Sequence, residues 1–232
     1  MRILALETSG KSGSVAALRG DVLLAEEPLE PSQRSAQSLA PAMRQLLEAV
    51  DWTPRDVQLV AVTLGPGSFT GLRVGVTTAK TFAYAVGAEV VAVNTLEVIA
   101  RQAPDDPAGR KLSAVLDAGR GELFIGAFTG SGSQRAWMGP PAIQSVETWL
   151  AGLDAGWRVT GPALARLAGR LPVEIEQVGA EFWYPAAATV GRLAAAKYAA
   201  GQRDDLWTLA PLYLRKSAAE EKEEGGRRKE EG

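Results

Sequence analysis

Residues 61–87 read AVTLGPGSFTGLRVGVTTAKTFAYAVG, and this stretch decides the fold. It continues an apolar, β-branched run, Val57–Thr63, that is typical of a buried strand. The tripeptide Gly-Pro-Gly at 65–67 then ends the strand, because neither a strand nor a helix tolerates it. Ser68 or Thr70 is placed to cap the long helix that follows. The stretch therefore predicts a buried strand, a tight glycine-rich turn and a helix.

Small residues recur at every fourth position of this helix. Because such spacing keeps neighbours on one face, the helix presents a stripe where another backbone can approach closely. The stripe consists of Gly71, Gly75, Ala79, Ala83 and Gly87. Two interpretations stay open here, close contact with the protein's own sheet and docking of a partner helix.

A glycine-rich turn before a helix can also bind phosphate through free backbone N–H groups and the helix dipole. The spacing matches neither standard motif. A P-loop requires Lys and then Ser or Thr after its second glycine, whereas Leu72 and Arg73 stand here. The dinucleotide motif requires glycine where Thr70 stands. Two interpretations of the turn therefore stay open. One is phosphate binding by Gly65 and Gly67, and the other is a tight connection between strand and helix with no ligand.

The composition excludes several classes of chemistry. The chain has 232 residues and 46% hydrophobic residues, enough for one large domain or two small ones. It contains no cysteine and no histidine, which excludes disulfides, thiol catalysis, Ser-His-Asp arrangements and imidazole-ligated zinc. A net charge of −2 gives no general attraction to nucleic acid. The start does not resemble a signal peptide and no stretch is long enough for a membrane span, so we expect a cytoplasmic protein.

The order of predicted elements indicates an α/β fold with a mixed sheet. The first half has strands at Ile3–Leu6, Ser14–Leu18 and Val22–Ala25, a helix from about Gln33 to Val50, the central strand and helix, a strand at Val90–Val93 and a helix at Thr95–Arg101. Pro41 is expected to kink or restart the first helix.

The second half repeats the plan of strands followed by helices, which weakly favours an internal duplication. It has strands at Leu112–Asp117, Glu122–Phe128 and Trp157–Thr160 and helices at Pro162–Arg170 and Thr189–Ala200. A loop at 104–109 separates the halves. We predict an N-terminal subdomain at 1–103 and a C-terminal subdomain at 104–216. Part of the C-terminal segment is an optional addition to the first subdomain. Residues 217–232 are predicted to form a charged, disordered tail.

Four motifs of the chain resemble the TsaB family, also called YeaZ. They are ILALETS at 3–9, LGPGSFTGLRVG at 64–75, LDAGRGELF at 116–124 and PLYLR at 211–215. The resemblance extends from the start to about residue 215, and the Gly-Pro-Gly-Ser-Phe-Thr-Gly block is its most specific part. It implies an actin-like, Hsp70-like and sugar-kinase-like fold of two similar subdomains, each with a mixed sheet.

The resemblance also implies a role in making N6-threonylcarbamoyladenosine at position 37 of tRNAs that read codons beginning with A. In that family the chain is a non-catalytic partner of its paralogue TsaD, which carries the metal and the transfer chemistry. The ATPase TsaE joins them, and TsaC supplies threonylcarbamoyl-adenylate. We therefore expect a TsaD-like partner, a TsaE-like ATPase, a homodimer when the chain is alone and tRNA contact only through the complex. No cofactor of its own is expected, with ATP or ADP an option in the complex.

The motif of metal ligands in TsaD-like proteins is missing here. Those proteins hold the metal partly through a His-x-x-x-His pair on the helix after the opening strands, and the corresponding stretch, Ser32–Leu39, has no histidine. Glu7 stands where kinases of this fold place an acidic residue at the phosphate turn. With Gly65 and Gly67 it is a minor candidate for nucleotide contact, beside its plain interpretation as a strand-end residue bonded to its own turn.

The family pairs through helices of the N-terminal subdomain, which favours the docking interpretation of the small stripe. We predict that the helix at 71–86 and the helix from about Gln33 to Val50 form the surface that takes TsaD or a second copy of the chain. The predicted interface residues are Leu39, Met43, Leu46, Gly71, Gly75, Ala79 and Ala83.

Two other functions remain open at this point. An independent small-molecule kinase or ATPase of the same fold is the main alternative, since one fold hosts many functions. A glycoprotease ranks last, because the sequence offers neither an activated nucleophile nor metal ligands. Candidates for tRNA contact on charge alone are Arg34, Arg73, Arg101 and Arg215.

Overall fold

A computed structural model describes residues 1–30 and 35–215 of the chain. The strands are β1 (Arg2–Glu7), β2 (Ser14–Arg19), β3 (Val22–Pro28), β4 (Leu59–Gly65), β5 (Glu89–Asn94), β6 (Lys111–Gly119), β7 (Glu122–Thr129), β8 (Ala136–Trp137), β9 (Ala142–Ser145), β10 (Trp157–Thr160) and β11 (Glu176–Gln177). The helices are α1 (Ser35–Ala49), α2 (Phe69–Val86), α3 (Thr95–Gln102), α4 (Val146–Ala151), α5 (Leu164–Leu167) and α6 (Ala187–Ala199).

The first sheet has the strand order β3-β2-β1-β4-β5. β1, β2 and β3 form an antiparallel meander, whereas β4 and β5 run parallel to β1. Successive side chains of a strand point to opposite faces. Leu4 and Leu6 of β1 accordingly join the cluster under α1 and α2, and Ile3 and Ala5 join the cluster under α6. Because both faces are covered, β1 is apolar without alternation.

The second sheet repeats this topology. Its order is β11-β10-β6-β7-β8, with β9 also paired to β7. β6 and β7 are antiparallel, and β10 and β11 run parallel to β6, as β4 and β5 run parallel to β1. The duplication that the sequence indicated only weakly is therefore present in the strand order.

Two helices and the C-terminal segment link the halves. In α3, Val98 packs in a core cluster of the first sheet, while Leu96 and Ile99 pack in a cluster of the second. α6 returns to cover the first sheet, although it follows the second in sequence. The last described residues then run beside β4, where Leu212 N donates to the Leu64 carbonyl oxygen at 2.8 Å. The division at residue 104 thus separates the sheets but not all the elements packed on them, and it stays a prediction as a domain boundary.

The predicted elements are largely found, with shifted ends. β4 begins at Leu59 rather than Val57, and α1 continues through Pro41 without restarting. The predicted helix at Pro162–Arg170 is shorter, with α5 followed by a 3-10 turn. β8, β9, α4 and β11 were not predicted, because such short elements carry little periodicity. The start of the first predicted helix at Gln33 and the tail at 217–232 lie outside the described residues.

The N-terminal half of α2 lies directly against the turn after β1. A Cβ atom on Gly71 would stand 2.1 Å from the backbone oxygen of Thr8, and one on Gly75 would stand 2.1 Å from Thr8 Oγ1. A Cβ on Gly67 would meet the backbone oxygen of Ser9 at 2.4 Å. These glycines therefore allow a contact inside the chain, which is the internal interpretation of the small stripe.

We expect Gly71→Ala to lower the free energy of unfolding by about 1–2 kcal/mol, because overpacking of a close contact costs about 1–3 kcal/mol and the better helix propensity of alanine offsets part of this cost. Alanine is the better helix residue by about 1 kcal/mol, so the sign of the change separates the steric effect from helix propensity. Urea denaturation followed by circular dichroism measures it. Gly139→Ala is the matched control, since no atom lies within 4 Å of its added Cβ. Equal stability of Gly71→Ala and wild type would contradict the contact.

Candidate functional site

The glycine-rich turn uses its backbone donors inside the protein. Ser68 caps α2, because its Oγ accepts from Gly71 N at 3.2 Å. Ser68 N donates to the Ser9 carbonyl oxygen at 2.7 Å. The peptide bond between Gly65 and Pro66 is cis. Phosphate binding at this turn would require N–H groups, and two of them are already bonded within the chain.

Glu7, at the end of β1, is fully buried. Its Oε1 accepts hydrogen bonds from Ser9 N at 2.8 Å, from Ser9 Oγ and from Thr63 Oγ1 at 3.4 Å. Its Oε2 has no hydrogen-bond partner among the described residues. Burial raises the pKa of Glu7 to about 7, and the charge of Glu26 adds to this, while the hydrogen bonds from Ser9 and Thr63 act against it. Because the carboxyl group has no exposed surface in this structure, it is not accessible to a ligand.

Most residues predicted for the partner interface lie inside the chain. Leu39, Leu46, Ala79 and Ala83 are at most 1% exposed and belong to the core cluster between the helices and the first sheet. Gly71 and Gly75 face the turn after β1. All six residues lie on helix faces that the chain itself covers, so they are not exposed anchors for a partner. Met43 differs, since it lines the groove between the two helices. The docking face itself stays a prediction.

The outward sides of α1 and α2 enclose an apolar groove of about 590 Å³. α1 contributes Ala40, Met43, Arg44, Leu47 and Glu48, α2 contributes Thr77, Thr78, Thr81, Phe82 and Ala85, and Trp52 and Pro54 complete the lining. Arg44 and Glu48 form an exposed ion pair on α1, with Nε to Oε1 at 2.8 Å. The lining thus combines apolar side chains and three threonines with one exposed ion pair, and apolar surface of this kind occurs at the centres of protein interfaces.

The small stripe did not indicate the groove residues of α2, for one reason. The small stripe marks the face of α2 that needs close approach, and that face is the buried one. The groove residues stand on the other side of the same helix at positions such as Thr77, Thr81 and Ala85, which are exposed. Their spacing by four was available in the sequence as a signal for a second, outward face.

A second concave region lies between the halves of the chain. It is formed by the turn at 66–69, the hairpin tip of β6 and β7, and the C-terminal segment at 212–215, and its volume is about 730 Å³. Of the glycines weighed for nucleotide contact, Gly67 lines this cleft, whereas Gly65 is buried against Leu212. Glu7 is not part of the lining.

The basic residues weighed for tRNA contact have different surroundings. Arg101 donates to the Gly132 carbonyl oxygen at 2.6 Å, and Arg215 donates to the Ala118 carbonyl oxygen at 2.7 Å, so both hold backbone segments in place. Arg73 lies at the cleft. Arg34 lies outside the described residues.

Within residues 1–30 and 35–215, no group of three or more acidic side chains is placed to hold a metal ion. Among the helices of this described part, none has both the length and the apolarity to cross a bilayer.

Two mixed sheets of the same strand order, covered by helices and separated by a cleft, define a duplicated α/β protein of the actin-like class. A family model for "TsaD: tRNA N6-adenosine threonylcarbamoyltransferase" matches residues 26–200. The chain therefore belongs to the TsaD family.

Individual relatives narrow this assignment. The "tRNA threonylcarbamoyladenosine biosynthesis protein TsaB" of Bacillus subtilis is 36% identical over 132 residues, which cover 55% of this chain and 55% of that protein. The TsaB protein of Escherichia coli is 27% identical over 231 residues, with 94% and 96% covered. The chain thus spans about half the length of the first relative and nearly all of the second.

A solved structure agrees with these relatives. The structure of YeaZ from Pseudomonas aeruginosa matches with a TM-score of 0.79 and 27% sequence identity. The match covers 92% of this chain and 99% of the YeaZ chain. The resemblance to TsaB and YeaZ that the four motifs indicated is confirmed.

The buried carboxyl group of Glu7 predicts a pH-dependent stability. Because its pKa is raised from 4.5 to about 7 in the folded protein, the stabilising effect of its proton is complete below pH 4.5 and is lost as the pH rises to about 7. We expect the free energy of unfolding to fall by up to about 3 kcal/mol over this range. Glu7→Gln is expected to remove the slope, and chemical denaturation at several pH values measures it.

The chain contains no histidine, so no imidazole titrates in the same window. Acidic groups with lowered pKa values, such as Asp106 and Asp205, act in the opposite direction and at lower pH. Glu27→Gln, at an exposed position of β3, is the matched control. A slope that persists unchanged in Glu7→Gln would contradict the assignment.

Proposed function

We propose that this chain is the non-catalytic partner of a TsaD-type protein in the complex that transfers a threonylcarbamoyl group to N6 of adenosine 37 in tRNAs that read codons beginning with A. The family and the relatives named TsaB support the pathway. The observation that carries the partner role is the apolar groove on the outward faces of α1 and α2. A role in tRNA modification supports a cytoplasmic location, which is part of this proposal.

The residues of the chain support a role without transfer chemistry. The absence of histidine removes the His-based metal ligands of TsaD-like proteins. Glu7, the one acidic residue placed as in kinases of this fold, is fully buried. We therefore assign the transfer step to the TsaD-type partner. ATP or ADP enters through the complex and its TsaE-like ATPase, and tRNA contacts this chain only through that complex.

We assign a TsaD-type protein as the partner that binds in the groove. Such a protein shares the family and hence the helix pair that follows the opening strands, so two similar pairs can pack face to face. A stable interface buries roughly 1,200–2,000 Å² in total, and two helices on each side supply an area of that order. A second copy of this chain presents the same surface, so it competes for the groove and forms a homodimer when the partner is absent.

A charge in the groove is expected to block this pairing. Ala85 is exposed, lines the groove and lies in the last turn of α2, so Ala85→Arg is expected to fold normally. It places an unpaired guanidinium in an apolar interface, and we expect the affinity for the TsaD-type protein to fall at least about tenfold. Sedimentation velocity on the mixed proteins measures the loss.

Ala196→Arg, at an exposed position of α6, is the matched control because it adds the same charge outside the groove. Unchanged affinity of Ala85→Arg would refute docking at this groove. Loss of self-association alone would assign the groove to a second copy of the chain.

Reconstitution tests the function itself. The TsaD-type and TsaE-like proteins of the same organism, with a source of threonylcarbamoyl-adenylate and unmodified tRNA, are expected to form the modified nucleoside only when this chain is added. Mass spectrometry of digested tRNA measures the product. The chain alone is expected to give neither product nor ATP turnover. ATP turnover by the chain alone, with no effect on tRNA, would favour the kinase or ATPase alternative.

A further inference from the structure

Two large aromatic side chains stand exposed beside the groove. Tyr84 of α2 is 69% exposed, and Trp207 in the C-terminal segment is 76% exposed. Among the large apolar side chains of residues 1–30 and 35–215, only Val173 exposes a greater fraction of its surface. The ring centres of Tyr84 and Trp207 lie 5.6 Å apart in an edge-on arrangement, which aromatic rings favour. These two residues, the aromatic pair, therefore form one continuous patch rather than two scattered side chains.

The turn that carries Trp207 is fixed on the protein by its backbone. Asp205 Oδ1 accepts hydrogen bonds from Trp207 N and Thr208 N, each at 2.9 Å. Lys80 of α2 donates from Nζ to the Leu209 carbonyl oxygen at 2.9 Å. The side chain of Leu209 is buried in the core cluster under α1 and α2. The turn is thus attached both to α2 and to the core, and it presents the indole ring to solvent from a firm support.

The exposed rings have no evident task within the fold. The turn is held by hydrogen bonds and by burial of Leu209, and neither depends on the exposed faces of the aromatic pair. Exposed aromatic surface is unfavourable in water, and its burial against a partner releases that free energy. Because a tryptophan on a firm support loses little conformational freedom on binding, such residues are frequent among the few that dominate an interface. The aromatic pair has the properties of a binding anchor.

The aromatic pair is continuous with the groove. Thr81 lines the groove, and it also lines a cavity of about 280 Å³ whose walls include Tyr84 and Trp207. Thr81, Tyr84 and Ala85 are all exposed, so they share the outward side of α2. At the exposed fractions above, the two aromatic side chains present an area on the order of 300 Å². A standard interface buries roughly 800 Å² on each partner, so this area is a substantial share of one side.

We propose that the aromatic pair and the turn at 205–209 extend the groove into one docking surface for the TsaD-type protein, with Trp207 as its anchor. This inference rests on the proposed function, since the groove supplies the partner. It adds a segment that follows the second sheet in sequence to a surface otherwise built from the first half of the chain. Because both rings are apolar, the partner supplies apolar side chains that cover them.

Trp207→Ala tests the anchor in sedimentation velocity of the full chain mixed with the TsaD-type protein. We expect the affinity to fall at least about tenfold, because truncation removes the largest exposed ring of the patch. Trp207→Phe is expected to retain most of the affinity, since an aromatic ring remains. Both variants are expected to fold, because Trp207 is 76% exposed, and circular dichroism checks this.

Tyr84→Ala is expected to weaken binding about threefold or more, as the second ring of the patch. Tyr184→Ala is the matched control, because Tyr184 is 49% exposed and lines neither the groove nor the cavity beside it. Its affinity is expected to equal that of wild type.

Fluorine NMR of this chain labelled with 5-fluorotryptophan observes the anchor directly. The signal that is missing in Trp207→Phe belongs to Trp207. When the unlabelled TsaD-type protein is added, we expect this signal to shift and its relaxation by a soluble paramagnetic agent to fall, since the ring becomes covered. A Trp207 signal that keeps its full accessibility in the complex would contradict the proposal.

The groove variant Ala85→Arg, measured in the same assay, separates this inference from the proposed function. If Ala85→Arg loses binding and Trp207→Ala keeps the affinity of wild type, this inference is overturned and docking at the groove stands. If Trp207→Ala loses only self-association, the inference is also overturned, because the aromatic pair then serves a second copy of the chain. Absence of binding between wild type and the TsaD-type protein would overturn the proposed function and this inference with it.

Discussion

The contact between the glycine face of α2 and the turn after β1 positions much of the first half of the chain. Gly71 and Gly75 bring the helix within reach of Thr8, and the Ser68 N–H group bonds to Ser9. This contact fixes how α2 leaves β4 and where its outward face points. The same turn supplies two of the three hydrogen bonds to Glu7, through Ser9, so the closeness of the helix and the burial of that carboxyl group go together.

A consequence is that α2 has two faces with different roles. The inner face consists of small residues that permit close approach, and substitutions there change stability first. The outward face lines the groove shared with α1 and leaves residues such as Ala85 exposed, so substitutions there change association first. Because the two sets alternate along one helix, stability and partner binding can be altered separately.

The C-terminal segment at 212–215 forms one wall of the cleft between the halves of the chain. Leu212 bonds to β4, Tyr213 packs on Phe69 of α2, and Arg215 holds the β6–β7 hairpin through Ala118. One short segment thus ties the end of β4 to the second sheet and forms a wall of the cleft. The cleft is lined by the first turns of α2, whereas the groove is lined by its C-terminal half.

The sequence by itself determined the central strand, turn and helix, the α/β class and the family, because local glycine and proline chemistry, apolar periodicity and specific motifs carry that information. It also excluded histidine-based sites. Only the tertiary structure decided which face of α2 is covered, since a small stripe suits its own sheet and a partner equally well. Likewise, Arg73 and Tyr213 are 140 positions apart in sequence, and no local pattern predicts that they meet. Such contacts arise from the strand order and from the return of the chain terminus, which depend on long-range burial rather than on neighbouring residues.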